Sequence, residues 1–127
     1  MNGGLRPFND LEKVNMEQIV EQADKAGKLF ARKIKINQIR RFLDGVRRIE
    51  NRLKGESDFN TVKDQVVLLR PMLAYAAGRD NRNDMKELMN FLDPAIKSGS
   101  RSKDNFKKLL RLIEGIVAYH RFYGGGN

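Results

Sequence analysis

Along most of this chain, apolar side chains return at every third or fourth position. That period stacks side chains on one face of an α-helix, so five such runs predict five helices. The first covers about residues 15–32, with Met16, Ile19, Val20, Ala23, Gly27 and Phe30 inward. Asn15 can cap it, and Gln18 stands where a capping box requires it. The second runs over about 37–54, stops at Gly55, and turns Ile39, Phe42, Leu43, Val46, Ile49 and Leu53 to the core.

The third starts near Asp58 or Asn60, carries Val62, Val66, Leu69, Leu73 and Ala76, and ends at Gly78. Pro71 lies inside it; a proline removes a donor and crowds the preceding turn, so a kink or restart is expected. The fourth, about 83–97, rests on Met85, Leu88, Met89, Leu92 and Ile96, with a second kink expected at Pro94. After a loop over 98–102, Ser102 caps the last helix. It buries Phe106, Leu109, Leu110, Ile113, Ile116, Val117 and His120, and reaches Tyr123 before the glycines.

The expected fold class is therefore all-α, a compact bundle of about five helices with mostly antiparallel neighbours. The pattern divides the chain into a flexible N-terminal arm (1–13), a single helical domain (14–124) and a flexible C-terminal tail (125–127). The turns at 54–60 and 78–83 could serve as hinges for helix exchange between two chains. No apolar run approaches the ~20 residues of a membrane span, and the N-terminus has no signal-peptide core. A cytoplasmic protein without membrane association is the expectation. With no cysteine in the sequence, disulfides, thiolate zinc sites and a cysteine nucleophile are out of reach.

Charge sharpens this picture. Of 127 residues, 25 are Lys or Arg and 16 are Asp or Glu, a net +9. Residues 28–54 alone hold ten basic and two acidic side chains, a local +8. On the second helix, Arg40, Asp44, Arg47, Arg48 and Asn51 span an arc of about 140° opposite the apolar side, with Arg41 and Arg52 at its margins. Lys33 and Lys35 extend the stripe into the preceding turn. Two acids cannot neutralise ten bases, and the arginine fork matches phosphate oxygens, so the stripe points to a polyanion. A polar turn after the third helix adds Arg79 and Arg82. Its Asp80, Asn81, Asn83 and Asp84 lack the order and the closing glutamate of a calcium loop, so no metal is expected.

Catalytic constellations are missing. One histidine, no cysteine and no nucleophile elbow exclude the common triads, and no phosphate-cradling glycine motif precedes a helix. The chain reads as non-catalytic and without a cofactor. His120 falls within the apolar stripe, where a neutral core histidine bonded to a backbone carbonyl is expected. On the same helix Gly115, Ala118 and Phe122 make a second small-and-aromatic stripe, suited to close packing by a neighbouring helix or subunit and taken as a subunit contact.

Three motifs, "QIRRF" (38–42), "LAYAAGR" (73–79) and "IVAYHRFYGG" (116–125), occur in order. Together they resemble the small subunit of type III-A CRISPR effector complexes, the Csm small-subunit family, over about residues 10–125. The resemblance implies an all-helical protein present in several copies. These would stack as a minor filament beside ferredoxin-like backbone subunits, touch the large polymerase-type subunit and line the groove for guide-paired target RNA. Cleavage would belong to the backbone subunits. On this reading Arg40 and Arg79, in the matched motifs, contact RNA phosphates without sequence preference, or else form ion pairs within or between copies. The helix-two face itself adds Arg41, Arg47, Arg48, Arg52, Lys33 and Lys35. With about three phosphates per copy and two copies acting together, the single-strand salt slope would be near −4. Copies would self-associate into the filament, and isolated chains would be monomers or dimers. Two other readings stay open: a stand-alone helical nucleic-acid-binding regulator, and a helical adaptor for an acidic protein.

Overall fold

The structure, a computed structural model, describes residues 4–55, 58–80 and 82–127. Among these, all regular secondary structure is helical: α1 (Met16–Phe30), α2 (Ile36–Lys54), α3 (Lys63–Val67), α4 (Leu69–Arg79), α5 (Asp84–Gly99) and α6 (Lys103–Phe122). Single 3-10 turns stand at Leu11–Lys13 and Phe59–Thr61. The fold is all-α, as the periodicity required. Among the described residues no helix is long and apolar enough to cross a membrane.

α6 forms the centre, with α1, α2 and α5 against it; α4 packs on α5 and, more thinly, on α2. This position explains why α6 buries Leu112 and Asn105 in addition to the expected stripe. α2 and α5 run antiparallel to α6, whereas α1 runs parallel to it. Ala23 faces Gly115, and one turn further along both helices Gly27 faces Tyr119. Two glycines, one from each helix, let the backbones come close. Half-buried Gly115 thus packs on a neighbouring helix of its own chain, where a Cβ would stand 2.7 Å from that of Ala23. Ala118 and Phe122, from the same expected stripe, remain exposed, Phe122 at 75%.

The capping box of α1 forms as expected: Asn15 Oδ1 accepts the Gln18 N–H and Gln18 Oε1 accepts the Asn15 N–H, both at 2.9 Å. Its buried face is rotated from the expected one. Met16 and Val20 are about half exposed, and Gln22 and Ala26 are buried beside Ile19, Ala23, Gly27 and Phe30. Burying Gln22 is tolerated because its Oε1 accepts the backbone N–H of Arg6 at 2.8 Å.

That bond belongs to a larger set of contacts. Residues 4–13, the described part of the expected N-terminal arm, lie against the bundle. Leu5 and Leu11 are buried, and the Phe8 ring meets that of Phe91 at 6.5 Å. Ser98 Oγ accepts the Leu11 N–H at 2.8 Å, and Lys108 Nζ donates to the Leu11 carbonyl at 2.7 Å. Residues 1–3 of that arm lie outside the described residues, as do 56–57 and 81 in the two candidate hinge turns.

The expected third helix is broken in two at Leu68, between α3 and α4. Pro71 occupies the first turn of α4, where its missing N–H costs nothing, and its ring excludes a continuous helix through Val67. Gly78 remains inside α4 without a left-handed backbone; the helix ends a residue later, before Asp80. α5 continues through Pro94, and the carbonyl this frees belongs to exposed Asn90. Gly99 ends α5 against Leu109, and Ser102 Oγ caps α6 by accepting the Asn105 N–H at 3.1 Å.

Candidate nucleic-acid interface

α2 begins badly by local criteria. Lys35, at its N-cap, has no side-chain acceptor to offer the first turn, and Lys33 and Lys35 put positive charge at the positive end of the helix dipole. The missing acceptors come from the other end of the chain. The Gly126 carbonyl accepts the Ile36 N–H at 3.1 Å and Asn127 Oδ1 accepts the Asn37 N–H at 3.3 Å. Gln38 Oε1 accepts the Lys35 N–H at 3.2 Å. Residues 125–127, expected to fray, therefore cap the arginine helix.

The tail reaches that position through a Schellman turn at the end of α6. Gly124 takes φ +90°, the Gly125 N–H donates to the His120 carbonyl at 2.8 Å and the Gly124 N–H to that of Arg121 at 3.0 Å. Gly125 lies directly on the His120 imidazole, with no room for a Cβ. His120 itself is fully buried. Its Nε2–H donates to the Ile34 carbonyl at 2.7 Å, fixing the turn before α2, while Nδ1 has no partner. The lone histidine is a core residue bonded to a backbone carbonyl, as its place in the stripe suggested.

Seated in this way, α2 buries Ile39, Phe42, Leu43, Val46, Ile49 and Leu53 and leaves Arg40, Arg41, Arg47, Arg48 and Arg52 exposed. Among the described residues, Arg40, Arg41, Arg48 and Arg52 form no ion pair. Arg47 does: it reaches Glu114 of α6 at 3.3 Å, where Arg111 also binds at 2.7 Å. Asp44, on the same face as the arginines, forms no ion pair with them.

Between α2 and the α4–α5 pair lies a cleft of about 760 Å³. Its rim carries Arg41 and Arg48 from α2, Arg79 from α4 and Arg82 from the following turn. Leu73, Leu88, Leu92, Ile113 and Ile116 form an apolar floor. Two acids reach the cleft. Asp44 is exposed at its edge, whereas the Asp80 carboxylate is already engaged, accepting the Arg82 N–H at 3.1 Å and the Met85 N–H at 3.2 Å at the start of α5. Arg70 sits outside and is held in a two-pronged pair with Asp93 at 2.9 and 3.1 Å, which clamps α4 to α5.

The fold thus gathers four of the nine sequence-derived basic residues around one opening. Arg52 borders a neighbouring shallow depression with Gln65 and Leu68. Arg40, Arg47, Lys33 and Lys35 line neither cavity.

Sequence reasoning passed over Tyr75 and Gln38, both of which line the cleft. Tyr75 is 68% exposed, and the Arg79 guanidinium lies 5.6 Å from its ring centroid. The signal was available: Leu69, Leu73 and Ala77 define the inner face of α4, and position 75 lies opposite them.

Two similarities to known proteins complete the picture. The Csm2 Type III-A family matches residues 13–126. A protein of Streptococcus thermophilus described as "CRISPR system Cms protein Csm2" is 31% identical over 116 residues, which cover 86% of this chain and 93% of the relative. The motifs at residues 38–42, 73–79 and 116–125 all fall inside the matched span, and the chain belongs to the Csm2 Type III-A family.

Proposed function

We propose that this chain is the non-catalytic small subunit lining the target-RNA groove of a type III-A CRISPR complex, holding guide-paired RNA by its phosphates without reading sequence. One observation carries the reading: Arg41, Arg48, Arg79 and Arg82 converge on a single cleft, and none of them forms an ion pair among the described residues. Unpaired guanidinium groups on a helical scaffold match phosphate oxygens, and recognition of sequence is left to base pairing. Copies stack as a minor filament beside the ferredoxin-like backbone subunits and the large polymerase-type subunit, in the cytoplasm. Exposed Ala118 and Phe122 at the end of α6 are offered to a neighbouring copy or subunit. Arg40, Arg52, Lys33 and Lys35 enlarge the positive field around the cleft, and Arg47 contributes through its free edge while held by Glu114.

The test is charge reversal of Arg41, Arg48 and Arg82 together in the assembled complex, followed by target-RNA binding at several salt concentrations. Loss of three phosphate contacts weakens binding about tenfold or more and flattens the log–log salt slope by about two. Unchanged affinity and slope, with assembly intact, would overturn the reading.

A further inference from the structure

The arginine rim accounts for phosphates, but it does not account for what lies inside it. A purely phosphate-binding groove has no use for an apolar floor or for an aromatic ring left in solvent. Here the cleft has both: the floor of Leu73, Leu88, Leu92 and Ile116, and Tyr75 standing 68% exposed at its edge. Arg79 lies over the Tyr75 ring at 5.6 Å, so a cation covers the ring while most of the side chain stays open. Met72, partly exposed with its thioether end against Gly45, also lines the cleft, and Gln38 offers an amide that can both donate and accept. An aromatic platform, a guanidinium plane, an apolar floor and flanking cations are the parts that hold one nucleotide by both of its halves.

We propose that the α2–α4 cleft takes an unpaired base of RNA, stacked on the face of Tyr75 that Arg79 leaves open, with Arg41, Arg48 and Arg82 on the phosphates to either side. This inference rests on the reading of the arginine face as an RNA surface and adds a second mode of contact to it. Because every base has a π face, the stacking is tolerant of sequence. Charge complementarity selects the occupant: four unpaired arginines with a single unengaged carboxylate, Asp44, favour a polyanion, and an exposed aromatic ring favours one that carries flat rings.

The experiment uses the full chain at low salt and short single-stranded RNA containing one 2-aminopurine, with a matched RNA that is abasic at that position. Tyr75→Ala is compared with Tyr75→Trp and with Arg41→Glu/Arg48→Glu, each checked for helicity by circular dichroism. Binding should quench 2-aminopurine in the native chain and in Tyr75→Trp, and not in Tyr75→Ala. Tyr75→Ala should lose about five- to tenfold in affinity for the base-containing RNA and nothing for the abasic one. Equal affinity of native chain and Tyr75→Ala for both RNAs, with the Arg41→Glu/Arg48→Glu variant still weakened, would overturn the base pocket and leave the phosphate reading standing. Unweakened binding by the arginine variant would instead overturn the phosphate reading, and the base pocket with it. If Tyr75→Ala leaves RNA binding alone but releases the chain from the other subunits of the complex, the cleft holds a protein segment and the base pocket is likewise wrong.

Discussion

Gly27 of α1 lies so close to Tyr119 of α6 that a Cβ on the glycine would stand 2.5 Å from the tyrosine Cβ and 2.7 Å from the His120 nitrogen. The obstacle is backbone and side-chain root, not a flexible tip, so it cannot swing aside. Gly27→Ala should therefore destabilise by about 3 kcal/mol or more, measured by urea unfolding. Gly78→Ala is the control, because nothing lies within 4 Å of its Cβ position and its backbone is not left-handed. That variant should gain about 0.5–1 kcal/mol.

Removing residues 125–127 takes away the acceptors for the Ile36 and Asn37 N–H groups and uncovers the His120 ring. A lost cap costs about 1–2 kcal/mol. Amide exchange should accelerate first at Ile36 and Asn37, with the middle of α2 still protected. Uniform acceleration along α2, or none, would contradict the capping role.

Ser98 is fully buried and its Oγ takes the Leu11 N–H. Its carbonyl also accepts Asn105 Nδ2 at 3.1 Å. Ser98→Ala strands a buried backbone donor, which costs about 1–3 kcal/mol. Limited proteolysis should then cut first among residues 4–14, before α1. Resistance equal to the native chain would mean that the buried Leu5 and Leu11 hold this segment without the hydrogen bond.

The Tyr123 hydroxyl donates to Asp24, and that bond, with burial and the carboxylate's charge behind it, holds the phenol above its ordinary pKa of 10.0. A folded pKa above the unfolded one stabilises fully below pH 10 and is lost as pH rises through the folded value. The stability advantage of the native chain over Tyr123→Phe should therefore be constant near neutral pH and shrink above pH 10. Parallel stability profiles from pH 8 to 11 would show that the bond contributes nothing to folding.

The helices were legible because each carries its own period and caps: Asn15 with Gln18, Ser102 with Asn105, Pro71 as a restart. The arginine face of α2 was legible for the same reason, since it is simply what remains once Ile39, Phe42, Leu43, Val46, Ile49 and Leu53 face inward. What escaped are relations between distant segments. Nothing near Met16 says that α1 pairs in parallel with α6 and so turns Gln22 inward and Met16 outward. Nothing near Lys35 says that its helix is capped by Gly126. The cleft escaped likewise, because it exists only where α2 and α4 diverge, and Tyr75 reads as an unremarkable residue until that gap is seen.

The dependence of α2 on Gly126 and Asn127, about ninety residues downstream, sets an order of events during synthesis. The arginine-rich segment leaves the ribosome long before α6, its packing partner, and before the residues that seal its first turn. Until then a stretch of +8 is an incomplete helix in a crowd of ribosomal RNA. Completion of the last helix is therefore the moment at which this basic surface becomes a fixed shape.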